Sequence, residues 1–324
     1  MKILFVGDPH IQPSNLEESE RLLEFVLDTA KKENVEKLIF AGDLFHTHAV
    51  VRMEVMSFWQ RWLNKIEAEK IPTFLIVGNH DQIGDKQRED KMSALDPFSN
   101  GFTYINVISK PKHFFDLGFL PYTSDHSKFI AWAEQMSQSG VKRLFCHQTF
   151  DGSKYDNGFY APDGIDVKKM PVFEEVVSGH IHTEQKVGSS IFYPGTPKWD
   201  TMSDANEEKG IWISEASGSW RKISTASVCK KITKITLQET THSGDVEIKE
   251  NERTVIELVG SSSWISSMSK KLKGKASIVA KPTESEEKKK KRKNMNMDIY
   301  EYVDQFAVKS SKEDVKAYLK EVMS

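Results

Sequence analysis

The chain has 324 residues and 37.0 kDa, enough for one large domain and a smaller appendage, and its 38% hydrophobic and 28% charged residues describe a globular protein. A net charge of −2 with pI near 6.6 excludes a global positive field as the means of holding nucleic acid, so such binding would rest on local patches, bound ions or a partner. Two cysteines, Cys146 and Cys229, without a CxxC pair, an opening Met1–Val6 run too short for a signal peptide, and no stretch of membrane-spanning length predict a cytoplasmic protein outside any membrane.

In chain order, Ile3-Leu4-Phe5-Val6 reads as a buried strand that ends on Gly7-Asp8-Pro9-His10. A helix is predicted over Ser19–Lys32, with Leu22, Leu23, Val26, Leu27 and Ala30 forming one apolar stripe. The next run, Leu38–Ala41, ends on Gly42-Asp43. A longer helix over Val50–Glu69 carries Val51, Val55, Phe58, Trp59, Trp62, Leu63 and Ile66 on one side, and Pro72 marks its exit. A third strand begins at Thr73, and its run Phe74–Val77 ends on Gly78-Asn79-His80-Asp81. This alternation predicts an α/β core with right-handed parallel crossovers. A helix over Lys128–Gln138 leads to Leu144-Phe145-Cys146 and then His147, and Val176-Val177 leads to Gly179-His180-Ile181-His182. Ser190–Tyr193 and Gly210–Ile213 are expected to be antiparallel strands closing a second sheet.

From about Val228 the composition shifts. Ile232–Leu237, Thr254–Val259 and Ala276–Ala280 are strand-like and Ser262–Leu272 is helical, which predicts a small α+β appendage. The charged stretch that follows includes Lys288–Lys293 and has no apolar residue with which to bury a core. Two amphipathic segments end the chain. Ile299, Tyr302, Val303 and Phe306 mark the first; Val315, Tyr318, Leu319 and Val322 mark the second, opened by the capping box Ser311-Lys312-Glu313-Asp314. A helix pair this short needs a surface to pack on, either a partner's or its own domain's. The expected organisation is a domain over 1–227, an appendage over 228–283, a linker over 284–294 and a helix pair over 295–324.

Strands of one sheet bring their carboxyl ends to one rim, where ligands of open α/β sheets sit. Collected there, the polar signals supply Asp, Asn and His donors suited to borderline divalent ions. By ligand count, Asp8, His10, Asp43 and His182 would hold one ion, and Asp43, Asn79, His147 and His180 the other, with Asp43 bridging. Asp8 with His10, and His180 with His182, share a two-residue spacing that turns both side chains the same way. The glycines at 7, 42, 78 and 179 are expected to let the backbone turn off each strand. Ions sharing a carboxylate lie about 3.5–4 Å apart and suit in-line attack on phosphorus. His80 is left to protonate the leaving oxygen or stabilise the transition state, with Asp81 expected to fix its tautomer.

Across roughly residues 1–225 this motif order resembles the calcineurin-like metallophosphoesterase superfamily, and within it the SbcD-type nuclease subunits of double-strand-break repair, phage-encoded relatives included. Gly42-Asp43-Leu44-Phe45-His46, Gly78-Asn79-His80-Asp81 and Tyr193-Pro194-Gly195-Thr196-Pro197 carry that resemblance. Ile11-Gln12 departs from it, since Leu-Gly usually follows the first His, as does Pro9. The resemblance implies a four-layer α/β fold, a β-sandwich flanked by helices, with an α+β capping domain and a C-terminal helical hairpin. It also implies two divalent ions, manganese foremost and magnesium second. The implied activities are 3′-to-5′ cleavage of duplex DNA and endonuclease cleavage of single strands, in a bacterial or phage-infected cell. The implied partners are DNA and an SbcC-type SMC-like ATPase, in a heterotetramer built on a homodimer. Ile299, Tyr302, Phe306, Tyr318 and Leu319 would dock on that ATPase. Lys270, Lys271 and Lys273 either contact phosphates or form a solvated helix end, and His46 either places DNA near the ions or simply packs. The competing function is a phosphodiesterase or phosphatase acting on a substrate other than DNA. Against protein phosphatases, Leu44-Phe45-His46 stands where they carry Asp-Arg-Gly, and Asn79-His80-Asp81 where they carry Asn-His-Glu.

Overall fold

Four consecutive apolar residues, all buried, make β1 (Ile3–Val6), and a strand buried on both faces needs layers on either side. The computed structural model describes residues 1–48, 50–83, 92–155, 158–215, 218–242, 246–248 and 252–283. After β1 come α1 (Leu16–Lys32), β2 (Lys37–Phe40), α2 (Met53–Ala68), β3 (Thr73–Ile76), β4 (Ile105–Ile108), β5 (Lys112–Phe114) and β6 (Leu117–Leu120). The chain continues through α3 (His126–Gln138), β7 (Arg143–His147), β8 (Glu175–Gly179), β9 (Gln185–Val187), β10 (Ile191–Tyr193), β11 (Gly210–Ser214) and β12 (Trp220–Ser224). Last are β13 (Ile232–Gln238), β14 (Arg253–Gly260), α4 (Ser262–Leu272) and β15 (Ser277–Pro282). Two compact units result: Met1–Lys234 with Ile248–Thr254, and Ile235–Glu247 with the chain from Val255.

The first unit holds two mixed sheets, ordered β12-β11-β1-β2-β3-β4 and β5-β6-β7-β8-β10-β9. β1, β2, β3 and β4 run parallel in the first, and β6, β7, β8 and β10 in the second. Period-two alternation sorts the core. Phe5, Ile39 and Phe74 of one sheet face Phe119, Phe145 and Val177 of the other. Phe74 stacks on Phe119 at 4.3 Å, and Phe5 meets Phe145 at 6.2 Å. The alternate residue Phe40 meets Trp59 of α2 at 5.8 Å, and Leu144 and Cys146 pack against Phe129, Ala133 and Met136 of α3. The layers are thus helices, sheet, sheet and helix. α1 buries Leu22, Leu23, Val26, Leu27 and Ala30, with Glu17 and Glu18 in its first turn and Lys31 and Lys32 in its last, matching the helix dipole. In the second unit the sheet order is β13-β14-β15, β14 parallel to β15, with α4 beside them.

Three expectations need correction. The strands ending in polar signals belong to two sheets, because β7 and β8 pair with β6 and β10 rather than with β3. The Ser190–Tyr193 and Gly210–Ile213 runs do not close a sheet together: β10 lies parallel to β8, and β11 lies antiparallel to β1 in the other sheet. Val51 precedes α2 and is exposed, so the apolar face starts at Val55. The linker over 284–294 and the helix pair over 295–324, with Ile299, Tyr302, Phe306, Tyr318 and Leu319, lie outside the described residues.

Candidate metal centre

The loops after β1, β2 and β3 of one sheet and the ends of β7 and β8 of the other meet at one place. Asp8 and His147 are fully buried there, and His10 and Asp43 nearly so. Cross-sheet hydrogen bonds hold the two rims together. The His180 amide donates to Asp8 Oδ2 at 2.9 Å, the Tyr122 amide to the Val77 carbonyl at 2.8 Å, and His147 Nδ1 to the Ala41 carbonyl at 2.8 Å.

Of seven described non-glycine residues with positive φ, three are candidate ligands: His10 at +43°, Asp43 at +49° and His180 at +81°. Backbone strain of this kind persists only where surrounding structure enforces it, and it concentrates at functional sites. Gly42, at φ +109°, is the one signal glycine in the left-handed region. Gly179 serves a different need from the expected turn: a Cβ there would lie 2.5 Å from Asp8 Oδ1 and 2.7 Å from the Ala41 carbonyl.

Asp43 is central. Its Oδ2 lies 3.3 Å from His147 Nε2, 3.8 Å from His10 Nε2 and 4.0 Å from His80 Nε2, while Oδ1 accepts from the His80 amide at 2.8 Å. Asn79 Oδ1 lies 2.8 Å from His147 Nε2 and 2.7 Å from His180 Nδ1. His10 Nε2 faces His182 Nε2 at 3.0 Å. Two sets of donor atoms, each within 4.8 Å of one another, share Asp43: His10, Asp43 and His80, and Asp43, His147 and His180. Asp8 also lies beside the second set, its Oδ1 3.3 Å from His147 Nδ1.

The donor set fits divalent cations. Buried Asp8 Oδ1 and His10 Nδ1 have no hydrogen-bond partner, an expensive arrangement that a coordinating ion relieves at the carboxylate. Burial pushes the His10 and His180 imidazoles down, His180 to about 3 with help from the charge of His147, so both are neutral and able to ligate. Burial opposes charge on His147 too, but the carboxylates of Asp43 and Asp8 hold its pKa well above the ordinary value. Burial likewise opposes ionisation of Asp43, yet His147, His10 and His80 hold its carboxyl below the usual range. Concentrated negative charge thus draws a counter-charge at the centre.

Asp81 does not orient His80, contrary to expectation. Its oxygens accept from the amides of Phe45 and Gly78, each at 3.0 Å, tying together the loops after β2 and β3. Burial and the charge of Asp43 raise its pKa to about 7. The His46 carbonyl takes His80 Nδ1 at 2.6 Å instead, so His46 reaches the centre through its backbone, with its ring 5.5 Å from that of His10. Sequence reasoning missed His48, whose ring stacks on His80 at 3.9 Å and whose Nδ1 meets the Asn79 carbonyl at 3.0 Å. The His46-x-His48 spacing was its only signal. Tyr122, stacked on His180 at 5.7 Å, was also missed, because β6 before it was not foreseen. Lys270 and Lys271 end α4 and Lys273 follows it; all three are exposed in the second unit.

Two mixed sheets with His, Asp and Asn donors gathered between their carboxyl ends define a hydrolase of the dinuclear metal class. A model of the family described as calcineurin-like phosphoesterase matches residues 1–184, and the chain belongs to that family, whose members bind two divalent metals and hydrolyse phosphoesters. It is 30% identical over 220 residues to a protein of Invertebrate iridescent virus 6 named a phosphoesterase, 244L, covering 65% of this chain and 75% of that one. It is 25% identical over 224 residues to Exonuclease subunit 1 of Enterobacteria phage T4, covering 66% of this chain and 64% of the relative, just under two thirds. Among solved structures, Yfce, a phosphoesterase from E. coli, aligns with 69% of this chain and 99% of its own at 14% identity, with a TM-score of 0.33. Among the described residues no helix is long and apolar enough to cross a membrane.

Proposed function

We propose that this chain is the nuclease subunit of a DNA end-processing complex, cleaving duplex DNA 3′ to 5′ and single strands internally with manganese. Its partner would be an SbcC-type SMC-like ATPase, in a heterotetramer built on a homodimer. The likeness to a phage exonuclease subunit over 66% of the chain carries this reading, and the motif resemblance of the second and third signals supports it.

Asp8, His10, Asp43 and His182 would hold one ion, and Asp43, Asn79, His147 and His180 the other. When bound, the pair acidifies water and stabilises charge gathering on the phosphate's non-bridging oxygens. The protein's own part is placement and proton handling. The His46 carbonyl accepts from His80 Nδ1 and orients the ring. Burial holds the His80 pKa below its ordinary value, against the pull of Asp43 and the His46 carbonyl. The ring thus rests neutral with Nε2 on the Asp43 side, where it would take up a proton and pass it to the leaving oxygen. Asp81 would act on the backbone alone, tying the loops after β2 and β3 together through the Phe45 and Gly78 amides. His48 covers one face of the His80 ring.

The test sets linear duplex and supercoiled plasmid DNA, with manganese, beside p-nitrophenyl phosphate. Cleavage of both DNAs supports the reading. Turnover of the small ester alone would replace it with a phosphatase or phosphodiesterase acting on another substrate. Deleting residues 295–324 should leave basal DNA cleavage unchanged and abolish pull-down of the ATPase; retained binding refutes the docking assignment of Ile299, Tyr302, Phe306, Tyr318 and Leu319.

A further inference from the structure

His182 differs from the other candidate ligands in its support. It lies in the loop between β8 and β9, beyond the reach of either strand's ladder. Its carbonyl accepts two hydrogen bonds, from the Thr196 amide at 3.1 Å and from Lys209 Nζ at 2.9 Å. Lys209 is 2% exposed, and its ammonium also donates to Glu207 Oε2 at 2.7 Å and lies 2.6 Å from Asp204 Oδ1, an ionic contact off the hydrogen-bonding angle. Glu207 takes the neighbouring Thr183 hydroxyl at 3.1 Å. Asp204, fully buried, is itself held by the amides of Asp200 and Thr201 at 3.0 and 2.8 Å.

A lysine this deeply buried is costly unless its charge is met, and here two hydrogen-bond acceptors and the Asp204 carboxylate surround the ammonium. Packing alone would be served as well by an apolar side chain, which often replaces a buried ion pair without loss of stability. What an apolar residue lacks is a donor for the His182 carbonyl. We propose that Lys209, braced by Asp204 and Glu207, is a positioning residue that fixes the His182 backbone and so presents its imidazole opposite His10. The proposal rests on the reading of His10 and His182 as ligands of one ion. It is specific to one half of the centre, because Asn79, His147 and His180 receive no hydrogen bond from this network.

Manganese titration of the full chain, followed by electron paramagnetic resonance, tests it. Lys209→Met and the double variant Asp204→Asn/Lys209→Met should both weaken one of two ions about 10- to 100-fold, the range seen when a ligand's supporting hydrogen bond is lost. The double variant removes both buried charges and so protects against an unfolded single variant. The affinity pattern and spectrum should match those of His182→Gln and differ from those of His147→Gln. Unchanged binding in a folded variant, or equal weakening of both ions, overturns the assignment. A wild-type chain that binds manganese at neither half sinks the metal-centre reading itself, and the inference with it.

Discussion

Gly179→Ala offers the sharpest probe of the centre's construction. The added Cβ would lie 2.5 Å from Asp8 Oδ1, 2.7 Å from the Ala41 carbonyl and 2.9 Å from His147 Nδ1. Ordinary contact begins near 3.4 Å, so the carboxylate must retreat by about 0.9 Å. Two of the three neighbours are candidate ligands, and the third is backbone that already accepts from His147. Overpacking of this sort costs about 1–3 kcal/mol. In a domain of this size that lowers Tm by about 2–12 °C. A displacement near 1 Å at reacting groups costs on the order of 100-fold in rate. Gly101→Ala is the matched control: its φ of +96° carries a strain cost of about 1–3 kcal/mol, but nothing lies within 4 Å of the new atom. Both variants should melt earlier, and only Gly179→Ala should lose hydrolysis of bis-p-nitrophenyl phosphate in manganese. Equal hydrolysis by the two would refute the idea that the centre's geometry depends on a missing side chain.

Three further outcomes are expected. His80→Gln should retain both ions by manganese titration and lose hydrolysis on the order of 100-fold; turnover at the wild-type rate rules out His80 as proton donor. Glu20 on α1 accepts from Trp62 Nε1 at 2.9 Å and Lys65 Nζ at 3.3 Å on α2. Burial opposes its ionisation, yet those bonds hold its carboxyl below the usual range. Because the folded pKa lies below the unfolded value of about 4.3, this contribution is complete above that pH and lost as pH falls through the folded value. The Tm gap between wild type and Glu20→Gln should therefore hold steady from about pH 5 to 8 and close below about pH 4; a gap that widens in acid contradicts the argument. Burial pushes the thiols of Cys146 and Cys229 up to about 12. A thiol reagent at about pH 8 should find neither in the native protein and both after unfolding, and rapid native labelling would show that one of them is reachable.

Local chemistry was legible in the chain. Apolar runs of four residues gave β1, β2 and β3, helical periodicity gave α1, α2, α3 and α4, and the polar residue after each run named the donors that the structure gathers. These features depend on side chains near one another in sequence. Strand membership does not: β7 joins β6 and β8 through pairings that no run of residues announces, and β11 returns from far downstream to lie beside β1. The short β5 and β9, with little apolar content of their own, also escaped, as did β6, a buried Leu-Gly-Phe-Leu run.

The sequence by itself determined which groups are available for metal and proton chemistry, because residue identity fixes donor type and local pattern fixes the strand or helix that carries it. Only the tertiary structure decided their company. It set Asp81 on the Phe45 and Gly78 amides rather than on His80, brought His48 over the His80 ring, and ran Lys209 to the carbonyl of His182. Each of those contacts spans 27 or more residues except Gly78–Asp81, and is chosen by how two sheets pack, a global balance of burial that no local segment encodes.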